Sequence, residues 1–235
     1  MHGSEKNISP FPTADGVAPE IILATGLEVT QGPVALACSF GVEDVVLIDL
    51  ISTLKLPIDV FAIDTGRLNE ETYQVAESVI QRYGIRLDWF FPERSEVERL
   101  EREKGVFSFR ESLDNRRECC HIRKVEPLKR ALTGLAGWVT GLRREQSVTR
   151  AGLEALERDA AHGGLFKINP LIAWTEKEVW EYARRRRIPV NPLHNKGYPS
   201  IGCAPCTRAI APGEPSRAGR WWWENPAHKE CGLHR

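Results

Sequence analysis

Six cysteines are the residues with most chemistry to offer: Cys38, Cys119, Cys120, Cys203, Cys206 and Cys231. An even count allows three disulfides in 15 connectivities. A large chain in a reducing compartment favours a metal or redox centre instead. Cys119, Cys120, Cys203 and Cys206 supply four thiolates, enough for a tetrahedral zinc site or a [4Fe–4S] cluster. Zinc ligands are usually two to four residues apart, whereas adjacent cysteines on a helix diverge by about 100°. The spacing therefore favours iron–sulfur, with a zinc ribbon as the alternative. A bond between Cys119 and Cys120 would be strained. His121 sits among these ligands, but four cysteines already suffice. Cys38 is flanked by apolar residues and is expected to be buried and structural. Cys231 lies outside both pairs, in a short tail with Gly232 and His234. Nearby cations lower a thiol pKa, and Arg217, Arg220 and His234 are candidates for that role. Such a tail is expected to be mobile, so that its thiol reaches a pocket and then a second protein. The Trp221–Trp223 run is expected to anchor it.

Three loops could hold an anion. Ser39-Phe40-Gly41-Val42-Glu43-Asp44 follows one apolar run and opens a helical pattern, and a helix N-terminus attracts anions. Asp64-Thr65-Gly66-Arg67 ends a second apolar run. Gly141–Ser147 follows a third, with Arg143, Arg144 and Arg150 offering guanidinium forks. Each also has a plainer reading: an ordinary turn, a helix cap or a solvated basic loop.

The elements that must position these groups follow from hydrophobic periodicity. Residues 33–39, 58–64, 86–91, 137–141 and 166–170 read as strands. Helical patterns cover 44–55, 70–83, 94–104, 114–133 and 175–187, with a short helix near 19–27. Thr175 suits the cap of the last, and its basic residues lie at the carboxyl end. Strand and helix alternate with short connections, the pattern of an α/β fold with a mostly parallel sheet. Loops after parallel strands share one sheet edge, where ligands bind. We expect an N-terminal extension at 1–32, a nucleotide-binding α/β domain at 33–190, and a Cys-containing segment at 191–235 packed on the same domain.

Composition narrows the function classes. Lys+Arg and Asp+Glu are both 32 in 235 residues, so the formal net charge is zero. That argues against a generally basic nucleic-acid binder. No apolar run reaches membrane-spanning length. MHGSEKNISPFPTADG lacks the order of a signal peptide, so a cytoplasmic protein is expected.

Taken together, the Ser39–Asp44 loop, Asp64–Leu68, Cys119–Lys124, Gly141–Ser147, the Cys203/Cys206 pair, Arg217–Trp223 and Glu230–His234 resemble the assimilatory adenylyl-sulfate reductases. These belong with the phosphoadenylyl-sulfate reductases and share the ATP pyrophosphatase-like, or adenine nucleotide alpha hydrolase-like, fold with helices on both sheet faces. The resemblance runs in order from about residue 33 to 234. It implies reduction of adenosine 5′-phosphosulfate to sulfite and AMP with thioredoxin, through an S-sulfocysteine on Cys231, in cysteine biosynthesis. It also implies cluster ligation by Cys119, Cys120, Cys203 and Cys206. Lys124, Arg217, Arg220 and His234 would cradle the phosphosulfate. Ser39, the Ile63 backbone, Thr65 and Gly141 would line the adenosine pocket, and Arg150 would reach ribose or phosphate. A homo-oligomer is expected. SFGVED is one residue shorter than the SF-x-x-x-ED loop common among cluster-bearing members. The 3′-phosphorylated nucleotide, or use of both, is the alternative substrate. An iron–sulfur redox sensor and an ATP-dependent adenylating enzyme are more remote readings. The S-G-G-x-D-S loop of the latter is replaced here by Ser39-Phe40-Gly41.

Overall fold

The computed structural model describes residues 14–146, 150–225 and Leu233. Its six strands form a mostly parallel sheet in the order β3-β2-β1-β4-β6-β5. They are β1 (Val34–Cys38), β2 (Ile58–Ile63), β3 (Leu87–Phe90), β4 (Gly137–Val139), β5 (Leu156–Asp159) and β6 (Leu165–Ile168). The α/β class expected from the alternating pattern is the one found. Among the described residues, no helix is long and apolar enough to cross a membrane.

The chain divides into two compact units. One comprises residues up to Ala37, Val42–Asp59 and Gly134–Ile188. There β1 runs parallel to β4, and β4 parallel to β6. Their apolar side chains, Trp138, Val139 and Ile168 among them, are buried. Helix α1 (Pro19–Thr30) opens with proline, whose missing N–H costs nothing in a first turn. It packs on β6, and Gly26 permits the approach: a Cβ there would stand 2.8 Å from Ile168 Cδ1. Helix α2 (Val42–Leu54) is buried along most of its length. Helix α7 (Glu176–Arg186) starts with a capping box between Thr175 and Glu178, as the Thr175 cap foretold. Tyr182 Oη and Arg186 Nε of α7 donate to Asp49 of α2 at 2.7 and 2.8 Å.

β5 has no counterpart among the expected strands. It pairs antiparallel with β6 across a turn containing Gly163 and Gly164, both at positive φ. Its sequence, LERD, is short and charged and carries no apolar alternation to reveal it.

The other unit comprises Cys38–Gly41, Val60–Thr133 and the residues from Pro189 onward. β2 pairs parallel with β3, and helices α3 (Glu70–Tyr83) and α4 (Arg94–Lys104) follow these strands. The helical pattern expected at 114–133 resolves into three pieces. Helix α5 (Leu113–Cys120) leads into a π-helical turn (His121–Val125) and then α6 (Glu126–Leu132). Pro127 accounts for the break, because it has no N–H to give to Arg123 four residues back. The wider turn absorbs the lost bond, and Glu126 N–H reaches the His121 carbonyl instead. Among the described residues beyond Pro189 regular structure is sparse, with short 3₁₀ turns at Pro192–Lys196 and Ala204–Cys206.

Candidate functional site: a cationic pocket of four thiols

Four of the expected ligands come together in the second unit. Cys119 and Cys120 end α5, and Cys203 and Cys206 bracket the turn at Ala204–Cys206. None of the four is in a disulfide, and all are buried in one cluster with Phe109 and Trp221. They line one pocket. Backbone bonds hold the two halves in place: Ala204 N–H donates to the Arg67 carbonyl at 2.8 Å, and Trp221 N–H to the Cys206 carbonyl at 3.1 Å. Cys38 lies apart from these four, buried, and accepts a hydrogen bond from Phe40 N–H, in keeping with a structural role.

Five cations line the same pocket: Arg67, Arg116, Arg123, Lys124 and Arg220. Two of them share one carboxylate, with Arg67 and Arg123 donating to Glu101 at 2.9 and 2.6 Å. Arg123 also donates to the Thr65 carbonyl at 2.8 Å. Arg116 pairs with Glu224 through two bonds of 2.9 Å. Arg220 reaches Ser200 and the Ile201 carbonyl, and Gly202 makes room for it. A Cβ at Gly202 would stand 2.3 Å from Arg220 Nη2. Three donors of these walls are buried with no partner among the described residues: Arg123 Nε, Arg220 Nε and Trp221 Nε1. Buried donors are ordinarily satisfied, so a pocket that gathers three is built for acceptors.

The thiols feel this surrounding unequally. Burial pushes Cys206 up to about 12, aided by neighbouring Cys203 and Cys120. Burial also raises Cys119, against the pull of Arg67 and Arg123. Burial also disfavours the Cys203 thiolate. Yet Lys124, the Thr65 hydroxyl 3.3 Å from its sulfur, Arg220 and Arg67 together hold it below its ordinary value.

Whether these residues suit an iron–sulfur cluster can be tested on the donor set. Among the described residues no three of His, Cys, Asp or Glu are arranged to hold a single metal ion. Four thiols nonetheless face one pocket, and unpartnered N–H groups stand in its walls. A multi-centre group with separate metal corners and acceptor sulfides fits that arrangement better than one zinc ion.

The remaining expected residues fall in different places. Ile63 ends β2, and Thr65 follows in the loop where Asp64 accepts from Gly66 N–H at 2.7 Å and from the Tyr73 hydroxyl. Thr65 spends its hydroxyl on Cys203. Ser39 is exposed, next to Phe40, which is buried in a left-handed conformation (φ 60°). Arg217 is half-buried three residues before Arg220 and is not among the walls of the thiol pocket. In the first unit, Gly141 follows β4, and a Cβ there would meet Asp44 Oδ1 at 2.5 Å. Arg150 bonds Gln146, which bonds Glu43. Arg143 is committed to Glu43 and Glu145, and Arg144 to Asp15 and the Leu153 carbonyl. Cys231, His234 and Ser147 lie outside the described residues.

Sequence reasoning overlooked Arg116 and the carboxylates Glu101 and Glu224, and read Arg67 and Arg123 only as parts of motifs. Helical spacing held a signal for two of them: Arg116 is four residues before Cys120, and Arg123 four after Cys119.

Comparison with known proteins supplies the context. The family model of the phosphoadenosine phosphosulfate reductase domain matches residues 33–209. The chain is 53% identical over 225 residues to a protein of Allochromatium vinosum named adenosine 5′-phosphosulfate reductase, covering 96% of this chain and 87% of that one. It is 54% identical over 201 residues to a protein of the same name from Burkholderia cepacia, covering 86% and 80%. Among solved structures, the phosphoadenylyl-sulfate reductase of Candida auris, in a phosphate complex, superposes with a TM-score of 0.70 at 27% identity. It covers 87% of this chain and all of that one.

Proposed function

The chain belongs to the phosphoadenosine phosphosulfate reductase domain family, and from that premise we propose how it works as an adenosine 5′-phosphosulfate reductase. Relatives at 53 and 54% identity carry that name. The observation that carries the reading is the thiol pocket, where five cations line the walls. A phosphosulfate is a compact dianion, and preorganised guanidinium and ammonium groups stabilise the charge that builds on its leaving phosphate.

The Cys231 thiolate attacks the sulfate sulfur. The S–O bond to the nucleotide breaks, AMP leaves with the electron pair, and an S-sulfocysteine remains. A thiolate of a dithiol protein of the thioredoxin class then attacks Cys231 Sγ, and sulfite departs. The second thiol of that protein resolves the mixed disulfide and restores Cys231. The dithiol supplies two electrons and releases two protons. Lys124, Arg217 and Arg220, with His234, hold the phosphosulfate and neutralise charge as AMP leaves. Ser39, Ile63, Thr65 and Gly141 take the adenosine, with Arg150 toward ribose or phosphate. Cys119, Cys120, Cys203 and Cys206 would hold a [4Fe–4S] cluster, which supplies a fixed charge distribution and a structural tie. The reaction belongs to assimilatory sulfate reduction in the cytoplasm, and the enzyme works as a homo-oligomer.

The test is anaerobic incubation with thioredoxin and either adenosine 5′-phosphosulfate or its 3′-phosphorylated form, with sulfite measured. Sulfite is expected from the first nucleotide and far less from the second. Cys231→Ser is expected to keep the iron–sulfur chromophore and to make no sulfite. Full turnover by that variant would refute the covalent route.

A further inference from the structure

Arg116 is one of the cations of the thiol pocket, but its pairing with Glu224 is assigned no step in the chemistry above. Arg116 is 1% exposed, on the last turn but one of α5. Its Nε and Nη2 donate to the two oxygens of Glu224, each at 2.9 Å, in the two-pronged geometry that fixes direction as well as distance. The guanidinium also sits 4.8 Å over the Trp221 ring and makes a side-chain hydrogen bond to Cys120. Trp221 is itself buried in a left-handed conformation (φ 40°), with Arg220 4.7 Å from its ring. A non-glycine residue holds that conformation only where its surroundings impose it. One buried guanidinium thus touches a thiol of the pocket, the aromatic wall and a carboxylate close to the end of the chain.

Burying an ion pair is costly, and in some proteins its return is a unique arrangement rather than stability. We infer that Arg116 is a positioning residue, which with Glu224 locks the Trp221–Glu224 turn onto α5 and so sets the point from which the chain runs on to Cys231. Glu224 precedes Cys231 by seven residues. The purpose assigned to the lock rests on Cys231 as the nucleophile; the lock itself does not.

The experiment uses the full chain with its iron and sulfide content measured. Glu224→Gln keeps the shape of the side chain and removes its charge. It is expected to speed amide hydrogen exchange at residues 221–225. It should slow S-sulfonation of Cys231, followed by intact mass without reductant, roughly 10- to 100-fold. Iron content and KM for adenosine 5′-phosphosulfate are expected to stay at the parent values, and Glu224→Asp to recover part of the rate. Arg116→Lys keeps the charge but loses the fork, and gives the same pattern where Glu224→Gln fails to fold. Unchanged exchange at 221–225 would overturn the inference. So would iron loss in step with the rate, because the pair would then be only a wall of the pocket. If the parent protein forms no S-sulfonate, the reaction scheme fails, and the exchange measurement alone decides the lock.

Discussion

The two units bury charge in opposite styles. In the first, Asp49 meets Tyr182 and Arg186, Arg143 meets Glu43 and Glu145, and Asp159 meets His162 and the Trp138 indole. Each joins buried donors to acceptors within the unit. In the second, five cations stand around a pocket to which Glu101 and Glu224 bring the carboxylates, and three buried donors have no partner among the described residues. Matched networks rigidify a fold. An excess of donors is an unfinished network, and it is completed by whatever anionic group the site receives. What sets the second unit apart is therefore not burial of charge but buried donors of the pocket walls without a partner among the described residues.

The contrast can be broken, starting with the largest effect. Asp49→Ala removes the acceptor of Tyr182 and Arg186 in the first unit. We expect a loss of roughly 3 kcal/mol in stability, at the low end for a broken buried pair because Arg186 keeps part of its water. Denaturant unfolding measures it, and sulfite formation per folded molecule should be unchanged. Arg220→Met should do the reverse. Unfolding should shift little, while sulfite formation falls on the order of 100-fold, as for loss of one preorganised donor. Comparable activity in the parent and this variant would place Arg220 with the structural arginines. Gly202→Ala sharpens the point without touching a charge. Its Cβ would overlap the Arg220 guanidinium, and the displaced group should cost about 10-fold in kcat.

The smallest effect concerns pH. Burial, then the hydrogen bond to Asp64, raises Tyr73 from 10.0 to about 12. The folded state therefore holds this proton more tightly than the unfolded chain does. Its contribution to stability is complete below about pH 10 and is lost as pH climbs toward 12. Tyr73→Phe should flatten that decline, and ultraviolet titration of the phenolates should lose a component near pH 12, while the still later one from Tyr182 remains. An identical alkaline profile in the variant would show that Tyr73 does not titrate there.

The sheet strands with apolar runs were legible because burial selects for them: VALAC and IDVFAI both announce themselves. The cap of α7 was legible from Thr175 and its partner Glu178. β5 was not, because a charged edge strand leaves no apolar trace. The thiol set was legible from cysteine spacing alone. The arginines around it were not, since nothing in the sequence separates Arg143, consumed by Glu43 and Glu145, from Arg220, held open by Gly202. That distinction is made by which carboxylate the fold brings near, and local sequence does not carry it.

The π-helical turn after Cys120 has a consequence for phase. In an uninterrupted α-helix, the face bearing Cys119 and Cys120 would fix the face that α6, with Leu128 and Leu132 buried, turns to β3. One additional residue in the turn offsets the two by about 100°. The thiols can then look into their pocket while α6 keeps its apolar side on the sheet. Pro127 thus serves as a gear tooth, letting one stretch of chain satisfy two partners that a regular helix would force into a single heading.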